Sequence, residues 1–389
     1  MKRLITLSLT LAFLCSSAWA KAPTEATAGI NNTETDAKEH KVSFFGYGEI
    51  HYNNNEGGDD EVDFHRFVIG LGYDFSDRIR LRSEFELEHA GAEVELEYAY
   101  IDFDITQRFG LRAGSILLPV GPLNQNHEPT TFYSVERAEI YKFIIPTSWM
   151  EGGFGFYSEP IDGLSVQAYA TTSLNYKEGA ASDELGFSGE EGIRGGRQKV
   201  VEAQANDFAG SARVQYTGIK GLRLGTSAFI GQTSQDDPRV DKGLVTLVEA
   251  DSKYSFEGIE LEGVAAVIFN PEAAAMTNAQ RADGNIDVTD VIGKRMYGFM
   301  LEGAYHVFHH IWKDAPVDLV AFTRFEKYDT NNQVGAGFVA DPSRDRQTIT
   351  FGASFMPVET VAIKADYSIR DNGTNTANNQ WNLGVAYNF

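Results

Sequence analysis

Cysteine is nearly absent from this 389-residue sequence: the single one, Cys15, lies in the first twenty residues. The rest of the chain therefore has no disulfide to stabilise it, and must rely on a large fold or an unusual solvent. Long apolar runs are also missing. The opening MKRLITLSLTLAFLCSSAWA has Lys2 and Arg3, an apolar stretch over 4–14 and an A-x-A-like site at Ala18–Ala20. That pattern predicts an export signal over 1–20, because the apolar stretch is too short for a span of ~20 residues. Nothing later reads as a transmembrane helix, which leaves membrane barrels open because their strands carry a much weaker signal. Basic charge is scarce too, with 33 Lys and Arg against 55 Asp and Glu and a formal net charge of −22. Such a chain lacks the basic footprint of a nucleic-acid binder. Proline (11) and tryptophan (4) are few, whereas glycine (38), phenylalanine (26) and tyrosine (17) suit a long meander of strands and turns.

Residues 21–40 lack aromatics and read as a flexible lead-in, after which one texture runs from 41 to 389. Segments of about ten residues alternate apolar and polar, a period-2 strand signal. Short connections such as FSDR (75–78), PIDG (160–163) and PVET (357–360) alternate with long polar ones such as 119–149, 177–206 and 270–294. This asymmetry predicts an all-β fold: a transmembrane antiparallel up-and-down β-barrel of about sixteen strands over 41–389. Two strands define the faces. In VAIKADYSIR, Val361, Ile363, Tyr367 and Ile369 oppose Lys364, Asp366 and Arg370. In RIRLRSEFELE, Ile79, Leu81, Phe85 and Leu87 oppose Arg80, Arg82, Glu84 and Glu86. With no helices to cover so many apolar faces, lipid is the expected partner of one side and lumen water of the other. Closure also pairs the backbone groups that hydrocarbon cannot satisfy.

The segment PVGPLNQNHEPTTFYSVERAEIYKFIIPTSW (119–149) is too aromatic to hang in water, so an inward-folded constriction is expected. Its candidate pore residues are His127, Glu128, Glu136, Arg137, Glu139 and Lys142, which either set the field felt by solutes or pin the segment to the wall. Parity points Arg66, Arg80, Arg82, Arg112, Arg213, Arg223, Arg324, Lys364 and Arg370 into the lumen, together with Glu84, Glu86, Glu302, Glu326 and Asp366. A basic excess on the wall would favour anions, while cross-strand pairing would cancel it. Loop acids such as Asp59, Asp60, Glu61, Asp183, Glu184, Asp236 and Asp237 read as solvated charge, or as bridges to lipid headgroups. His306, His309 and His310 cluster in HVFHHIWKD without evident carboxylates around them, so no metal and no cofactor is expected. His51 and His65 read as structural partners of Glu49 and Asp63. No G-x-S-x-G or H-E-x-x-H occurs.

The stretches GYGEIHYNN (46–54), VDFHRFVIGLGYDFSDRIRLRSEFELEHA (62–90), PVGPLNQNHEPTTFYSVER (119–137) and IIPTSWMEGG (144–153) resemble proteobacterial outer-membrane porins of the phosphate-selective porin O and P family. The resemblance implies a homotrimeric diffusion channel in a Gram-negative outer membrane, in contact with lipid and lipopolysaccharide. It also implies insertion by the barrel assembly machinery. A terminal aromatic is part of that resemblance, with Trp381, Tyr387 and Phe389 on the closing strand. The 119–149 segment sets only Arg137 and Lys142 against Glu128, Glu136 and Glu139, so phosphate specificity does not transfer. Passive diffusion of small hydrophilic solutes is expected, with a weak preference for anions. The alternatives are a barrel enzyme acting on lipids and a plugged structural or adhesive barrel.

Overall fold

A computed structural model describes residues 41–180, 185–312 and 314–389. The expected segments 1–20 and 21–40, and the loop acids Asp183 and Glu184, lie outside the described residues. Sixteen strands follow one another: β1 (Val42–Asn55), β2 (Asp60–Ser76), β3 (Ile79–Glu88), β4 (Glu93–Asp104), β5 (Phe109–Leu117), β6 (Met150–Ile161), β7 (Leu164–Thr172) and β8 (Phe208–Ile219) form the first half. The second half is β9 (Leu222–Gly231), β10 (Val245–Phe256), β11 (Ile259–Phe269), β12 (Gly293–His306), β13 (Asp318–Val334), β14 (Asp345–Val358), β15 (Val361–Asn372) and β16 (Gln380–Asn388). Each strand pairs antiparallel with its chain neighbours, and β16 closes on β1.

The seam is well defined. Tyr47 lies opposite Asn388, Tyr52 opposite Leu383 and Asn55 opposite Gln380. Phe389 falls just past β16, yet its N–H donates to the Gly46 carbonyl (2.8 Å) and its carbonyl accepts from the Gly46 N–H (2.9 Å). Its ring stacks on Phe67 at 5.9 Å. A Cβ at position 46 would come within 2.5 Å of that ring and 2.4 Å of the Val68 carbonyl, so glycine makes the close approach possible.

The expected faces are present. Phe85, Leu87, Ile363, Ile369, Leu383 and Val385 are exposed on the outside, while Glu84, Glu86, Lys364, Asp366 and Asn382 are buried on the inside. Outward apolar side chains gain roughly 1.5–3 kcal/mol each when lipid replaces water. Aromatics gather at strand ends, as in Tyr73 against Phe75 (4.9 Å) and Tyr367 against Trp381 (4.4 Å), where interfacial girdles belong.

Three departures from the expected pattern have physical causes. β7 ends at Thr172 instead of 176, because Leu174 and Tyr176 turn into an apolar cluster. β13 continues to Val334, its polar end held by hydrogen bonds such as Arg295 to Asn332 (2.7 Å). The short/long alternation also breaks three times: residues 56–59 and 89–92 make tight connections on the long-loop side, and 307–317 a longer one on the opposite rim.

The inner wall is not uniformly polar. Towards the long loops, Phe229, Leu247, Ile268 and Met296 share the inward parity and are fully buried. They pack with Trp149, Leu174, Tyr176, Phe187, Ile193 and Val240, and with Ala273 and Met276 of a helix over Ala273–Asp283. Trp149 meets Phe229 at 4.6 Å. Phe187 and Ile193 of the 177–206 loop are thus packed into this cluster, while Val200 and Val201 stay exposed.

Candidate functional site

The segment between β5 and β6 is tied at its neck by Asn124, whose side chain is fully buried. Its Nδ2 donates to the Leu118 carbonyl (2.8 Å) and the Trp149 carbonyl (2.9 Å), and its Oδ1 accepts from the Trp149 N–H (2.7 Å). One amide thereby joins the two ends of a loop whose remaining residues run from 125 to 148.

From this neck the segment bonds to side chains spread round the ring. The Gly121 N–H donates to Ser227 of β9 (3.0 Å), and Arg66 of β2 donates to the His127 carbonyl (2.7 Å). Lys364 of β15 donates to the carbonyls of Pro129 (2.5 Å) and Ser134 (2.9 Å), while Asp366 accepts from the Val135 N–H (2.7 Å). Arg324 of β13 donates to the Ser134 hydroxyl (2.6 Å), and Tyr133 to Glu260 of β11 (2.7 Å). Asn388 of β16 reaches Thr130 (2.6 Å). Glu136 accepts from Asn53 (2.9 Å) and lies 3.0 Å from His51 Nδ1, both on β1. A single helical turn, Ile140–Phe143, brings the Glu139 carboxylate to the Tyr328 hydroxyl and to Arg370 (3.2 Å).

A cavity of about 850 Å³ opens on the long-loop side. One flank carries Glu49, Glu61 and Asp63 with His51, His65 and His89, and the other carries Arg346 and Arg370. Glu136, Arg137, Glu139 and Lys142 enter from the segment. Acids dominate the β1–β2 flank and cations the β14–β15 flank, with Glu139 and Asp371 among the latter. Arg346 lies 4.4 Å over the Phe143 ring, which itself stacks on Tyr328 at 5.2 Å, and Lys142 sits 5.2 Å from the same ring. Among the described residues neither Arg346 nor Lys142 forms an ion pair with a carboxylate, and Arg346 also donates to the Glu190 carbonyl (3.1 Å). Arg223, Glu302 and Arg324 border a smaller space of about 90 Å³ beneath the segment.

His127 and Glu128 do not border the large cavity and act as anchors instead. His127 is 3% exposed, its Nδ1 donating to the Asn124 carbonyl (3.0 Å) and its Nε2 accepting from Tyr47 (2.9 Å). Burial pushes its imidazole down to about 4, although Glu97 pulls the other way, so the ring is neutral at neutral pH. Glu128 precedes a 3-10 turn at Pro129–Thr131 and its carbonyl accepts from the Thr131 hydroxyl (2.7 Å).

The wall arginines do not supply the expected basic excess. Buried Glu49, Glu97, Asp102, Glu151, Glu249 and Asp251 join the inward acids. Arg66 pairs with Glu49 (2.6 Å), Arg80 with Asp104 (2.8 Å), Arg82 with Asp74 (2.9 Å) and Arg112 with Asp102 (2.8 Å). Arg213 pairs with Asp251 (2.6 Å), Arg223 with Glu262 (3.1 Å) and Arg324 with Glu326 (3.0 Å). Paired charge of this kind holds the wall and segment in register and leaves little field of one sign.

His51 and His65 contact Glu49 (3.0 Å) and Asp63 (3.1 Å) as expected. The HVFHHIWKD cluster does have carboxylates nearby, contrary to expectation. Asp318 lies 2.5 Å from His306, and Glu257, from the adjacent turn, 3.4 Å from His309. His89, Tyr328 and Arg346 are site residues that sequence reading passes over, Glu49 enters it only as a structural partner of His51, and inward parity along β14 is the available signal for Arg346.

Comparison with known proteins agrees with this geometry. A family model described as phosphate-selective porin O and P matches residues 43–263. An uncharacterized protein of Aquifex aeolicus is 32% identical over 358 residues, covering 90% of this chain and 80% of that one. Among solved structures, Salmonella typhi OmpF in complex with daunomycin aligns with a TM-score of 0.59 and 14% identity, over 90% of this chain and 97% of that one. The anion-selective porin from Comamonas acidovorans aligns with a TM-score of 0.55 and 11% identity, over 90% and 99%. A closed sixteen-stranded barrel, lipid-facing outside and polar over most of its inside, thus matches the family over more than half of the chain, which belongs to the phosphate-selective porin O and P family, as a Gram-negative outer-membrane channel for small solutes.

Proposed function

We propose that the channel is passive, with segment 118–149 folded across the lumen as its constriction and with a weak preference for anions among small hydrophilic solutes. The observation that carries this reading is the bonding of one segment to β1, β2, β9, β11, β13, β15 and β16. A loop lying outside the ring could not reach all of them. Anion preference rests on Arg346 and Lys142, which face the cavity over rings and without carboxylate partners among the described residues. The paired wall arginines are not its source. The family's description and the anion-selective Comamonas porin of like fold lend support. Phosphate specificity is not part of the proposal, because Glu136 and Glu139 stand among the cations.

On this reading the chain is a conduit and not a catalyst, exported by residues 1–20 and assembled as a homotrimer. Planar-bilayer recordings in a salt gradient test it. The expected result is stable conductance with a small reversal potential of anionic sign, which R346Q/K142Q brings to zero or to the cationic side. A cationic sign in the unmodified protein overturns the selectivity. No conductance at all overturns the channel in favour of a plugged barrel, and phospholipid hydrolysis by the purified protein would favour an enzyme.

A further inference from the structure

On the acidic flank of the cavity, Asp63 Oδ2 lies 3.1 Å from His65 Nδ1 and 3.0 Å from His89 Nδ1. All three residues offer donor atoms within 4.8 Å of one another. Tetrahedral bonds of about 2.1 Å place neighbouring donors roughly 3.4 Å apart, so the two spacings to Asp63 are close to those around an ion, and the histidines need only stay within reach of it. Two imidazole nitrogens and one carboxylate oxygen are the donor set of zinc and its first-row neighbours, and a poor set for calcium or magnesium.

The framework around the donors is ordered. Asp63 and His65 both line the cavity, the bulge of β2 opposite Glu49 and His51 leaving His65 inward beside Arg66, and the tight 89–92 connection brings His89 over them. His89 takes a left-handed backbone (φ 48°) to do so, a conformation that is costly for a non-glycine residue. His51 stacks under His65 at 4.8 Å and 17°, while its own nitrogens lie 3.0 Å from Glu49 and from Glu136. It fixes the ring plane of His65 and is not a ligand. The side chains of Asp63, His65 and His89 are 16, 31 and 46% exposed, so a fourth coordination position faces the water of the mouth.

We propose that Asp63, His65 and His89 bind a divalent transition-metal ion at the long-loop mouth of the barrel, with one exchangeable position open to the lumen. Such a site adds two positive charges to the acidic flank, facing Arg346 and Arg370 across the cavity. Occupancy would then shift selectivity further towards anions. An ion held there on entry and an ion that modulates conductance would use the same donors.

The test uses untagged, metal-stripped full-length protein in detergent. Co²⁺ titration should give the intense visible bands of a four-coordinate ion, which Zn²⁺ abolishes by displacement. H89A, in an exposed turn, and D63N, which preserves shape, should each weaken Co²⁺ binding at least tenfold. E257A/H309A removes the second three-residue histidine–carboxylate group among the described residues, on the opposite rim, and should leave the bands intact. Bands that survive H89A and D63N but vanish with E257A/H309A place the ion at that rim and overturn the proposal, as does the absence of any bands. Binding requires no conductance, so its failure is separable from failure of the channel reading. In bilayers, Zn²⁺ should move the reversal potential towards anions in the unmodified protein and leave H89A unchanged.

Discussion

Arg66 and His127 show how single side chains hold the segment between β5 and β6. Arg66 is fully buried, bonded to Glu49 and to the His127 carbonyl, and His127 completes the contact through Tyr47. Because the His127 ring sits near 4 in the fold and near 6.5 when exposed, the folded state favours its neutral form. The sign follows from linkage: the anchor is intact above pH 6.5, and each unit of acidification below that costs about 1.4 kcal/mol until about pH 4. Urea midpoints in detergent between pH 7.5 and 4.5 should therefore fall more steeply for the unmodified protein than for H127Q. Equal slopes would show that His127 does not carry the acid sensitivity. Parity along the strands makes Arg66, Lys364 and Arg324 legible from sequence, but not their partners. Glu49 adjoins the bulge between Glu49 and His51, and Glu97 is the residue skipped where β3 and β4 slip register. At a bulge the period of two fails, and with it any count of inward charge.

At the scale of elements, strand number, order and most edges are legible, because lipid outside and water inside impose alternation on most of the strands. The closing strand is the clearest example. Trp381, Leu383, Val385 and Phe389 lie outside, and Phe389 adds two backbone hydrogen bonds to the seam beyond β16 proper. Each such bond is worth about 0.5–1.5 kcal/mol, and the Phe67–Phe389 stack is lost with them. Deleting Phe389 should lower the yield of folded, heat-modifiable barrel in membranes severalfold, while the conductance of each inserted channel stays unchanged. A changed unit conductance would mean that the seam shapes the pore as well as closing it. The ends of β7 and β13 mislead for opposite reasons. Apolar Leu174 and Tyr176 look like more strand but serve packing, whereas polar Asp329, Thr330 and Asn331 look like loop but are buried strand.

For the molecule as a whole, segment 118–149 and the packed loops leave an open space of about 850 Å³ against β1, β2, β14 and β15. Replacing residues 125–140 by a short Gly-Ser linker should raise single-channel conductance severalfold and weaken ion selectivity. Unaltered conductance would show that the segment does not limit flow. This arrangement is hidden in the sequence because Phe229, Leu247, Ile268 and Met296 occupy inward positions, and their partners lie far off in the chain. The same residues bear on how the chain reaches its destination. Before the ring closes, these side chains and the lipid-facing ones are equally unsheltered, and no local pattern separates those meant for hydrocarbon from those meant for one another. Only closure sorts them into an exterior coat and an interior kernel. A stalled, unclosed chain would therefore expose sticky surface on both faces, and prompt completion of the seam at Gly46 and Phe389 protects the protein from its own aggregation.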